Sequence, residues 1–252
     1  MSTPTGEVGP QELLISLIAD MVTSNRHVAV GSASPIPGAG ALLAQAEATG
    51  RMHVTVLQSP RFNSFTDGSR ELFDCAAQGR VDTFFLGGVE IDGRANINLV
   101  GVGKYPRLEK RFAGSFGSAL MYFVVPNIIL FREEHTPRTL VERVDFVSAP
   151  GVSADNVYRP GGPKALVTGK CVFVFDRARE RFSLRSVHPG VSIEEVRAST
   201  GFNFDEPEDV FVTPTPSAER LTRIRQRIAP QIAEFYPEFA ARVWPLTHGL
   251  TK

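Results

Sequence analysis

The sequence contains little cysteine and no excess of positive or negative charge. The first fact argues against a disulfide-rich protein, and the second against a strongly charged one. Its 252 residues contain two cysteines, Cys75 and Cys171, which fit neither a disulfide framework nor a metal-ligand spacing. We expect both to be buried thiols in a reducing cytosol. The 27 Lys and Arg residues balance the 27 Asp and Glu residues, so no overall positive field favours nucleic acid or an anionic membrane surface as a partner.

Long apolar runs are missing as well. No uncharged stretch approaches the roughly 18 apolar residues of a membrane-spanning helix, and residues 1–10 lack the basic-then-apolar pattern of a signal peptide. The five histidines are isolated from one another and from acidic residues at metal-ligand spacing, so no metal site is predicted. We therefore expect a cytoplasmic protein with no membrane or nucleic-acid partner.

What the sequence does contain is a large apolar fraction in alternating helix and strand patterns. With 42% hydrophobic residues, the chain is long enough to bury a sizeable core. We predict a single domain over 1–252, in which 207–216 is a linker to C-terminal helices. The expected fold class is α/β, with an open, mostly parallel sheet, helices on both faces and a β-hairpin region.

In the first third of the chain, segments with the apolar spacing of a helix alternate with segments typical of a strand. Helices are predicted from Pro10 to Val22, from the end of a Gly/Ser/Pro-rich loop at 31–40 to a Gly50 cap, and over 69–78 with Gly79 as cap. Strands are predicted at 28–30, 53–57 and 81–86. The 31–40 loop could meet a phosphate with its backbone N–H groups, but it lacks a dinucleotide or P-loop fingerprint, so a plain turn is favoured.

The remainder predicts a hairpin, further strands and C-terminal helices. An Asp-Gly signal between alternating residues favours a hairpin over 89–98. Further strands are predicted at 128–131, 144–147, 165–168 and 171–175. Ser192 and Glu195 have capping-box spacing for a helix that ends near Thr200. The Arg-rich helix 220–227 is interpreted as a solvated face or a partner contact, and His188 as structural.

Four segments carry a family resemblance, and the last of them is His188-Pro189-Gly190 with Thr200-Gly201-Phe202. After the β-branched run 53–57, the chain reads Gln58-Ser59-Pro60-Arg61-Phe62-Asn63, then Gly87-Gly88 with Asn96 further on, then 112–118 with Gly114, Ser115, Phe116 and Gly117. In this order they resemble the β subunit of class I coenzyme A transferases. There the first segment ends in Glu-Asn-Gly or Glu-Ser-Gly, the second has glycine at the position of Ala95, and the third has glycine at the position of Phe116.

The resemblance implies a site without the family carboxylate. The family glutamate attacks an acyl-CoA thioester, but Pro60 stands at that position and cannot do so. The resemblance therefore implies no certain catalytic residue in this chain, and places Gln58, Ser59, Gly87, Gly88, Asn96 and the loop Gly114, Ser115, Phe116 and Gly117 near the substrate. Coenzyme A would enter as part of the substrate, with no permanently bound cofactor. For Asp92 and Asn98, a role in the hairpin turn is the better interpretation.

Within the family, the chain most resembles the β subunit of the actinobacterial enzyme that hydrolytically opens the last steroid ring. That branch lacks the β-subunit glutamate. The resemblance implies an α2β2 heterotetramer with an α subunit of the same family, whose glutamate acts as base. The C-terminal aromatic residues Phe235, Tyr236, Phe239 and Trp244 are numerous for a terminal helix, so we expect them to contact that partner.

Other functions stay open. An ordinary CoA-transferase β subunit is contradicted by Pro60 unless Glu71 or Glu90 is displaced into the site. A non-catalytic scaffold subunit is compatible with the missing carboxylate. A free-standing nucleotide-binding protein is the third alternative.

Overall fold

The computed structural model describes residues 7–245 and divides the chain into two compact units. The first unit comprises Met1–Ser64 and Pro214–Lys252, and the second comprises Phe65–Thr213. The boundary at 213 falls inside the predicted linker 207–216, which also contains a two-residue strand and the buried Thr213. The prediction of a single domain stays a prediction.

The first unit contains two parallel strands and most of the helices. Its elements are α1 (Pro10–Val22), β1 (His27–Val30), α2 (Pro35–Glu47), β2 (His53–Val56), α6 (Ala218–Arg223), a π-helical segment (Ile224–Ile228), α7 (Ala229–Ala233) and α8 (Pro237–Val243). Strands β1 and β2 pair in parallel from His27 opposite His53 to Val30 opposite Val56. A Cβ atom on Gly40 would lie 2.4 Å from Ile18 Cγ2, so glycine allows α2 to approach α1 closely.

Two details of this unit differ from the sequence prediction. Helix α2 begins at Pro35, inside the predicted 31–40 loop, because proline is well tolerated in the first turn of a helix, where its missing N–H has no partner. The same helix ends at Glu47, and Ala48 is already extended with ψ 134°. Gly50 is therefore not the helix cap, and the predicted left-handed cap was wrong.

The second unit is built on a six-stranded portion of sheet. Its strands are β3 (Thr83–Leu86), β8 (Asn127–Arg132), β9 (Pro163–Thr168), β10 (Cys171–Asp176), β11 (Arg181–Val187) and β12 (Phe211–Val212). Their order is β12-β11-β10-β9-β8-β3. Pairing is parallel for β3–β8, β8–β9 and β11–β12, and antiparallel for β9–β10 and β10–β11. With β1–β2, parallel pairs predominate, and the predicted α/β class is confirmed.

Short helices and two hairpins complete the second unit. The helices are α3 (Gly68–Ala77), α4 (Ser118–Val124) and α5 (Ile193–Ser199). The hairpins are β4 (Glu90–Ile91) with β5 (Ile97–Asn98), and β6 (Gly101–Val102) with β7 (Lys110–Arg111). Gly79 follows α3 at φ +69°, and Ser192 Oγ accepts a hydrogen bond from Glu195 N. The predictions of the first hairpin, the Gly79 cap and the Ser192 cap are thus confirmed.

The predicted strand at 144–147 was wrong. Val144 is buried, which explains the apolar signal, but the N–H of Asp145 donates to the Glu90 carboxylate at 2.9 Å. A backbone donor that is satisfied by a side chain is not available to a strand ladder.

The arginines of the C-terminal helices are used inside the first unit. Arg220 contacts both Glu47 and Asp20 at 2.7 Å, and Arg225 Nε donates to Glu12 at 2.6 Å. Glu12 is 3% exposed and also accepts from the indole N–H of Trp244 at 3.1 Å. The interpretation of 220–227 as a solvated face or partner contact was therefore wrong for Arg220 and Arg225, which hold the helices of this unit together.

Within residues 7–245, no helix combines the length and apolar character needed to cross a membrane.

Candidate functional site

The first unit brings two loops and one tyrosine together. Because β1 and β2 are parallel, the loops that follow them leave the same edge of the sheet. The side-chain oxygen of Gln58 accepts a hydrogen bond from Ala33 N at 3.0 Å, and the hydroxyl of Tyr236 accepts one from Ser34 N at 3.2 Å. Ala33 itself has φ +54°, an uncommon conformation for a residue with a Cβ. These contacts fix the loop after β1 against the Gln58 loop.

The Gln58 loop is organised by its own serine. Ser59 is 2% exposed, and its Oγ accepts hydrogen bonds from Arg61 N at 3.2 Å and Phe62 N at 3.0 Å. The Asn63 amide donates to Leu57 O at 3.1 Å and closes the turn. Ser59 therefore shapes the loop, while the side chains of Gln58 and Pro60 are exposed. A substrate would meet Gln58 and Pro60 rather than the serine hydroxyl.

The structure adds a carboxylate that the sequence did not single out. Arg61, the residue that follows Pro60, forms an ion pair with Glu234 at 3.0 Å. Phe235 lies against Phe62, with ring centroids 6.3 Å apart. The two segments are 173 positions apart in the chain, so no local motif marks the contact. Glu234 is the acidic side chain that the described structure pairs with the Pro60 loop.

Tyr236 is a polar group held in an apolar setting. Burial raises the pKa of its hydroxyl above the usual value, and the hydrogen bonds from Ser34 N and Ala33 N only partly oppose this. The phenol therefore stays neutral at ordinary pH.

In the second unit, the double glycine packs against the chain's own backbone. A Cβ atom on Gly88 would lie 2.7 Å from Glu90 O, and one on Gly87 would lie 3.1 Å from Phe131 O. Glycine is required at Gly88 by this close approach. No contact with a substrate is needed to explain the pair.

The hairpin turn after the glycines uses its polar side chains internally. Asp92 Oδ1 accepts from Arg94 N and Asn96 N, both at 3.0 Å. The Asn96 amide donates to Asp92 Oδ2 at 3.0 Å, and its oxygen accepts from Gly151 N at 3.1 Å. Both ends of the Asn96 side chain are thus occupied by contacts that orient the loop, and its predicted place near the substrate stays a prediction. Ala95 has φ +57°, which explains why a glycine would suit this position.

A buried network joins Asn98 of the first hairpin to Gly101 of the second. The Asn98 amide donates to the Glu90 carboxylate and to Gly101 O, each at 2.7 Å. Its oxygen accepts from Val100 N at 3.0 Å. The prediction that Asp92 and Asn98 are structural is confirmed.

The 114–117 loop is partly committed to internal contacts. Gly114 N donates to Leu99 O at 3.3 Å, and Gly114 O accepts from Ser118 Oγ at 2.8 Å. The backbone donor of Gly114, a residue predicted to lie near the substrate, is thus used within the chain. Phe116 is 77% exposed and touches Phe73, with ring centroids 5.9 Å apart. An exposed aromatic ring held by another ring is suited to form a wall for an apolar ligand.

The two carboxylates considered as replacements for the family glutamate are both engaged elsewhere. Glu71 is half-buried, and hydrogen bonds from the N–H groups of Asp67 and Thr66 lower its pKa. Glu90 is 5% exposed and bonds to Asn98 and Asp145. Each has a structural task in the second unit.

Three further titratable side chains, His135, Cys171 and His188, are buried. Burial lowers the pKa of His135 to about 4 and raises that of Cys171 to about 12. His188 bonds to Thr213 Oγ1 and Thr168 O, both at 2.9 Å, which confirms its structural role. Cys75 is only half-buried, unlike the expectation for both cysteines. Within residues 7–245, no group of three or more His, Cys, Asp or Glu side chains is placed to hold a metal ion.

Comparisons with known proteins place these features in a family. The coenzyme A transferase family model matches residues 8–199. The B-type chain of glutaconate CoA-transferase from Acidaminococcus fermentans is 32% identical over 154 residues, 58% of this chain and 56% of that protein. The cholesterol ring-cleaving hydrolase IpdB subunit of Rhodococcus jostii is 30% identical over 166 residues, 64% of this chain and 65% of that protein. The chain thus matches less than two thirds of the length of either relative.

Solved structures agree on the fold. Glutaconate coenzyme A-transferase from A. fermentans superposes with a TM-score of 0.78 at 24% identity, covering 90% of this chain and 96% of that chain. The R. jostii IpdAB structure superposes with a TM-score of 0.75 at 25% identity, covering 88% of this chain and 94% of that chain. With the family model matching well over half of its residues, the chain belongs to the coenzyme A transferase family.

Proposed function

We propose that this chain is the β subunit of a heteromeric acyl-CoA-processing enzyme that opens a carbon ring hydrolytically. The substrate is a cyclic keto acyl-CoA of steroid or cholesterol degradation, and coenzyme A enters only as part of that substrate. The partner is an α subunit of the same family in an α2β2 assembly, and it supplies the catalytic glutamate.

One observation carries the proposal: the exposed tip of the Gln58 loop holds Pro60 where a transferase needs a carboxylate. The loop around it is held in shape by Ser59, so the missing nucleophile does not reflect a missing loop. Glu71 and Glu90 have partners of their own in the second unit. The similarity to the IpdB subunit supports the same interpretation.

The reaction requires a base, water and a place for negative charge. The partner's base removes a proton from water, and the resulting hydroxide adds to the ring ketone. The carbon–carbon bond next to that carbon then breaks, the carbonyl re-forms as a carboxylic acid, and the electron pair passes into the thioester-conjugated system. Protonation of that carbanion completes the hydrolysis.

This chain contributes binding and charge stabilisation in that scheme. In the first unit, Gln58 presents an exposed amide beside the Pro60 tip. In the second unit, the N–H groups of Ser115 and Gly117 are proposed to stabilise a developing oxyanion. Fixed backbone donors stabilise such a charge strongly in a site from which water is excluded. Phe116 forms the apolar wall for the ring-bearing acyl group.

A trapping experiment tests the absence of a covalent intermediate. We expect the chain, with its co-purified partner, to keep an unchanged mass after incubation with an acyl-CoA followed by borohydride. A steady-state assay with a cyclic keto acyl-CoA should show formation of a carboxylic acid with CoA retained. Release or transfer of CoA without ring opening would refute the hydrolase assignment.

A CoA-transferase remains the second candidate because of one observation. Glu234 is paired with Arg61 beside Pro60, and a carboxylate at that place is chemically able to attack a thioester. If borohydride treatment modifies Glu234, and Glu234→Gln abolishes both the modification and the transfer of CoA, the chain is a transferase subunit.

A scaffold subunit is the third alternative. It requires that Gln58→Ala and Phe116→Gly leave turnover unchanged.

A further inference from the structure

We propose that the hairpin formed by residues 101–112, termed the basic hairpin, binds the phosphates of the nucleotide end of an acyl-CoA. The ligand class is a 3′-phosphorylated adenosine diphosphate with its attached pantetheine arm. This inference rests on the proposed function, because it names how the same substrate is held at its other end.

The first support is unpaired positive charge. Lys104, Arg107, Lys110 and Arg111 are exposed on the basic hairpin, with Glu109 as its single acid. In the described part of the chain, none of these four cations forms an ion pair. The Arg111 guanidinium donates to Pro106 O at 3.2 Å, and the Lys110 ammonium lies 5.1 Å from the centroid of the Phe112 ring.

Other arginines of the same unit behave differently. Exposed Arg138 and Arg179 each contact a carboxylate at 2.6 Å, on Glu134 and Asp205 respectively. The chain as a whole is neutral, whereas the basic hairpin carries four cations and one acid, Glu109. Such a concentration of positive charge attracts multiply charged phosphate ligands.

The second support is the rigid anchoring of the basic hairpin. Gly103 N donates to the Asp145 carboxylate at 2.7 Å, and Gly101 O accepts from the buried Asn98 amide at 2.7 Å. A Cβ atom on Gly101 would lie 2.2 Å from Lys110 O, so the two strands touch where glycine permits it. Exposed cations on an anchored hairpin lose less freedom on binding than cations on a mobile loop.

The third support is an aromatic surface beside the cations. Tyr105 is 54% exposed, and its ring lies 5.1 Å from that of Phe146, centroid to centroid. An adenine ring can stack on such an exposed aromatic face. A phosphate-binding cluster next to a stacking surface matches the two chemical parts of the nucleotide.

The basic hairpin also runs directly into the proposed acyl site. Its last strand ends at Arg111, and Phe116 follows five residues later. Five residues span at most about 18 Å, a separation that the long pantetheine arm of CoA is built to bridge. In chain order, the residues proposed to bind the nucleotide end of the ligand therefore come first, and those proposed to bind its acyl end follow.

Binding of CoA and of pantetheine provides the test. Pantetheine lacks the phosphates and the adenine, so it reports only on the rest of the site. Isothermal titration uses the full chain with its co-purified partner, at low and high salt. The test variants are Lys104→Gln with Arg107→Gln, and Lys110→Gln with Arg111→Gln. The control is Arg138→Gln with Arg179→Gln, which removes two exposed, ion-paired charges from the same unit.

We expect each test pair to raise the Kd for CoA about tenfold or more, with a weaker salt dependence. Pantetheine binding and the control pair should be unchanged. Tyr105→Ser should weaken CoA binding but not its salt dependence, because it removes stacking and no charge.

Three outcomes would overturn the proposal, and they separate it from the proposed function. If the unaltered protein binds CoA and both test pairs bind it equally well, the basic hairpin is not the nucleotide site, while the function stands. If the double variants no longer elute with the partner subunit in size-exclusion chromatography but bind CoA as before, the four cations contact the partner subunit and not the nucleotide. If the unaltered protein binds neither an acyl-CoA nor CoA, the proposed function itself fails.

Discussion

Single glycines in this chain differ in what surrounds them, and this difference gives a stability prediction. A Cβ atom on Gly161 would lie 2.3 Å from Val125 O, which is backbone and cannot move away, whereas one on Gly117 would lie 2.2 Å from the outer edge of the Phe73 ring. Gly161→Ala should therefore lower the free energy of unfolding by about 1–3 kcal/mol, and Gly117→Ala by less because the ring can turn.

Gly50→Ala is the matched control, since nothing lies within 4 Å of its added methyl group. Urea unfolding followed by circular dichroism measures all three variants. Equal losses at Gly161 and Gly117 would contradict the argument from ring mobility. In the Gly117 variant, displacement of Phe73 should also disturb Phe116 and change the preference between ring-bearing and linear acyl groups.

The buried His135 predicts an acid-sensitive step in stability. Its ring nitrogens bond to Thr168 Oγ1 at 2.8 Å and Thr200 Oγ1 at 2.9 Å, and burial lowers its pKa to about 4. In the unfolded chain, the pKa is about 6.5, so the unfolded state binds more protons between these values. Stability should therefore fall as the pH drops from about 6.5 towards 4, by roughly 3 kcal/mol in the limit.

Unfolding free energies measured from pH 7 to pH 4 test this step. His135→Gln should give a shallower slope, even if it lowers stability at pH 7. His53→Gln, which alters an exposed ring, should leave the slope unchanged. An unchanged slope in the His135 variant would show that other groups govern the acid response.

At the scale of elements, Glu12 joins α1 to the C-terminal helices of the first unit. Burial by itself would raise its pKa, but hydrogen bonds from Arg225, Gly9 N and Trp244 outweigh burial, and the pKa is lowered. Glu12→Gln leaves Arg225 without its counter-charge and should cost about 1–3 kcal/mol.

Glu219→Gln is the control for Glu12, because Glu219 is 82% exposed and pairs with Arg223 one turn away. Exposed pairs of this kind contribute about 0.5 kcal/mol or less. Thermal unfolding distinguishes the two variants. Similar melting temperatures would show that Arg225 finds another partner or water.

At the scale of the whole molecule, the proposed assembly predicts dependence on a partner. The sequence favours the C-terminal aromatic residues as the partner surface, but Trp244 is buried and Tyr236 bonds within the first unit. In the second unit, Tyr158 is 86% and Phe116 77% exposed, so large apolar side chains are available there instead.

We expect the chain expressed on its own to be inactive and to elute with the α-subunit-like product of a neighbouring reading frame when both are expressed. Tyr158→Lys should weaken that co-elution. Val174→Lys is the control, because it places the same charge on an apolar residue that is less exposed, at 43% against 86% for Tyr158. A fully active monomer, measured by size-exclusion chromatography with a turnover assay, would contradict the proposed assembly.

Much of the fold followed from local patterns, whereas the failures came from contacts with residues that are distant in the chain. The hairpin at 89–98 and the Gly79 cap were predictable because turn residues act on their own neighbours. The strand at 144–147 was not, because its apolar signal came from burial of Val144 while Asp145 N bonds to Glu90. The hydrogen bonds of Asn96 with Gly151 and of Gly114 with Leu99 were also not predictable, since these partners lie elsewhere in the chain.

The sequence by itself determined the alternation of helices and strands, the hairpin turn and the proline at the position of the family carboxylate, because each depends on residues close together in the chain. Only the tertiary structure decided that Arg61 meets Glu234 and that Arg225 meets Glu12, across 173 and 213 positions. A charge pair over such a separation leaves no periodic pattern in the sequence. It arises only when packing of the helices and loops brings the two side chains into contact.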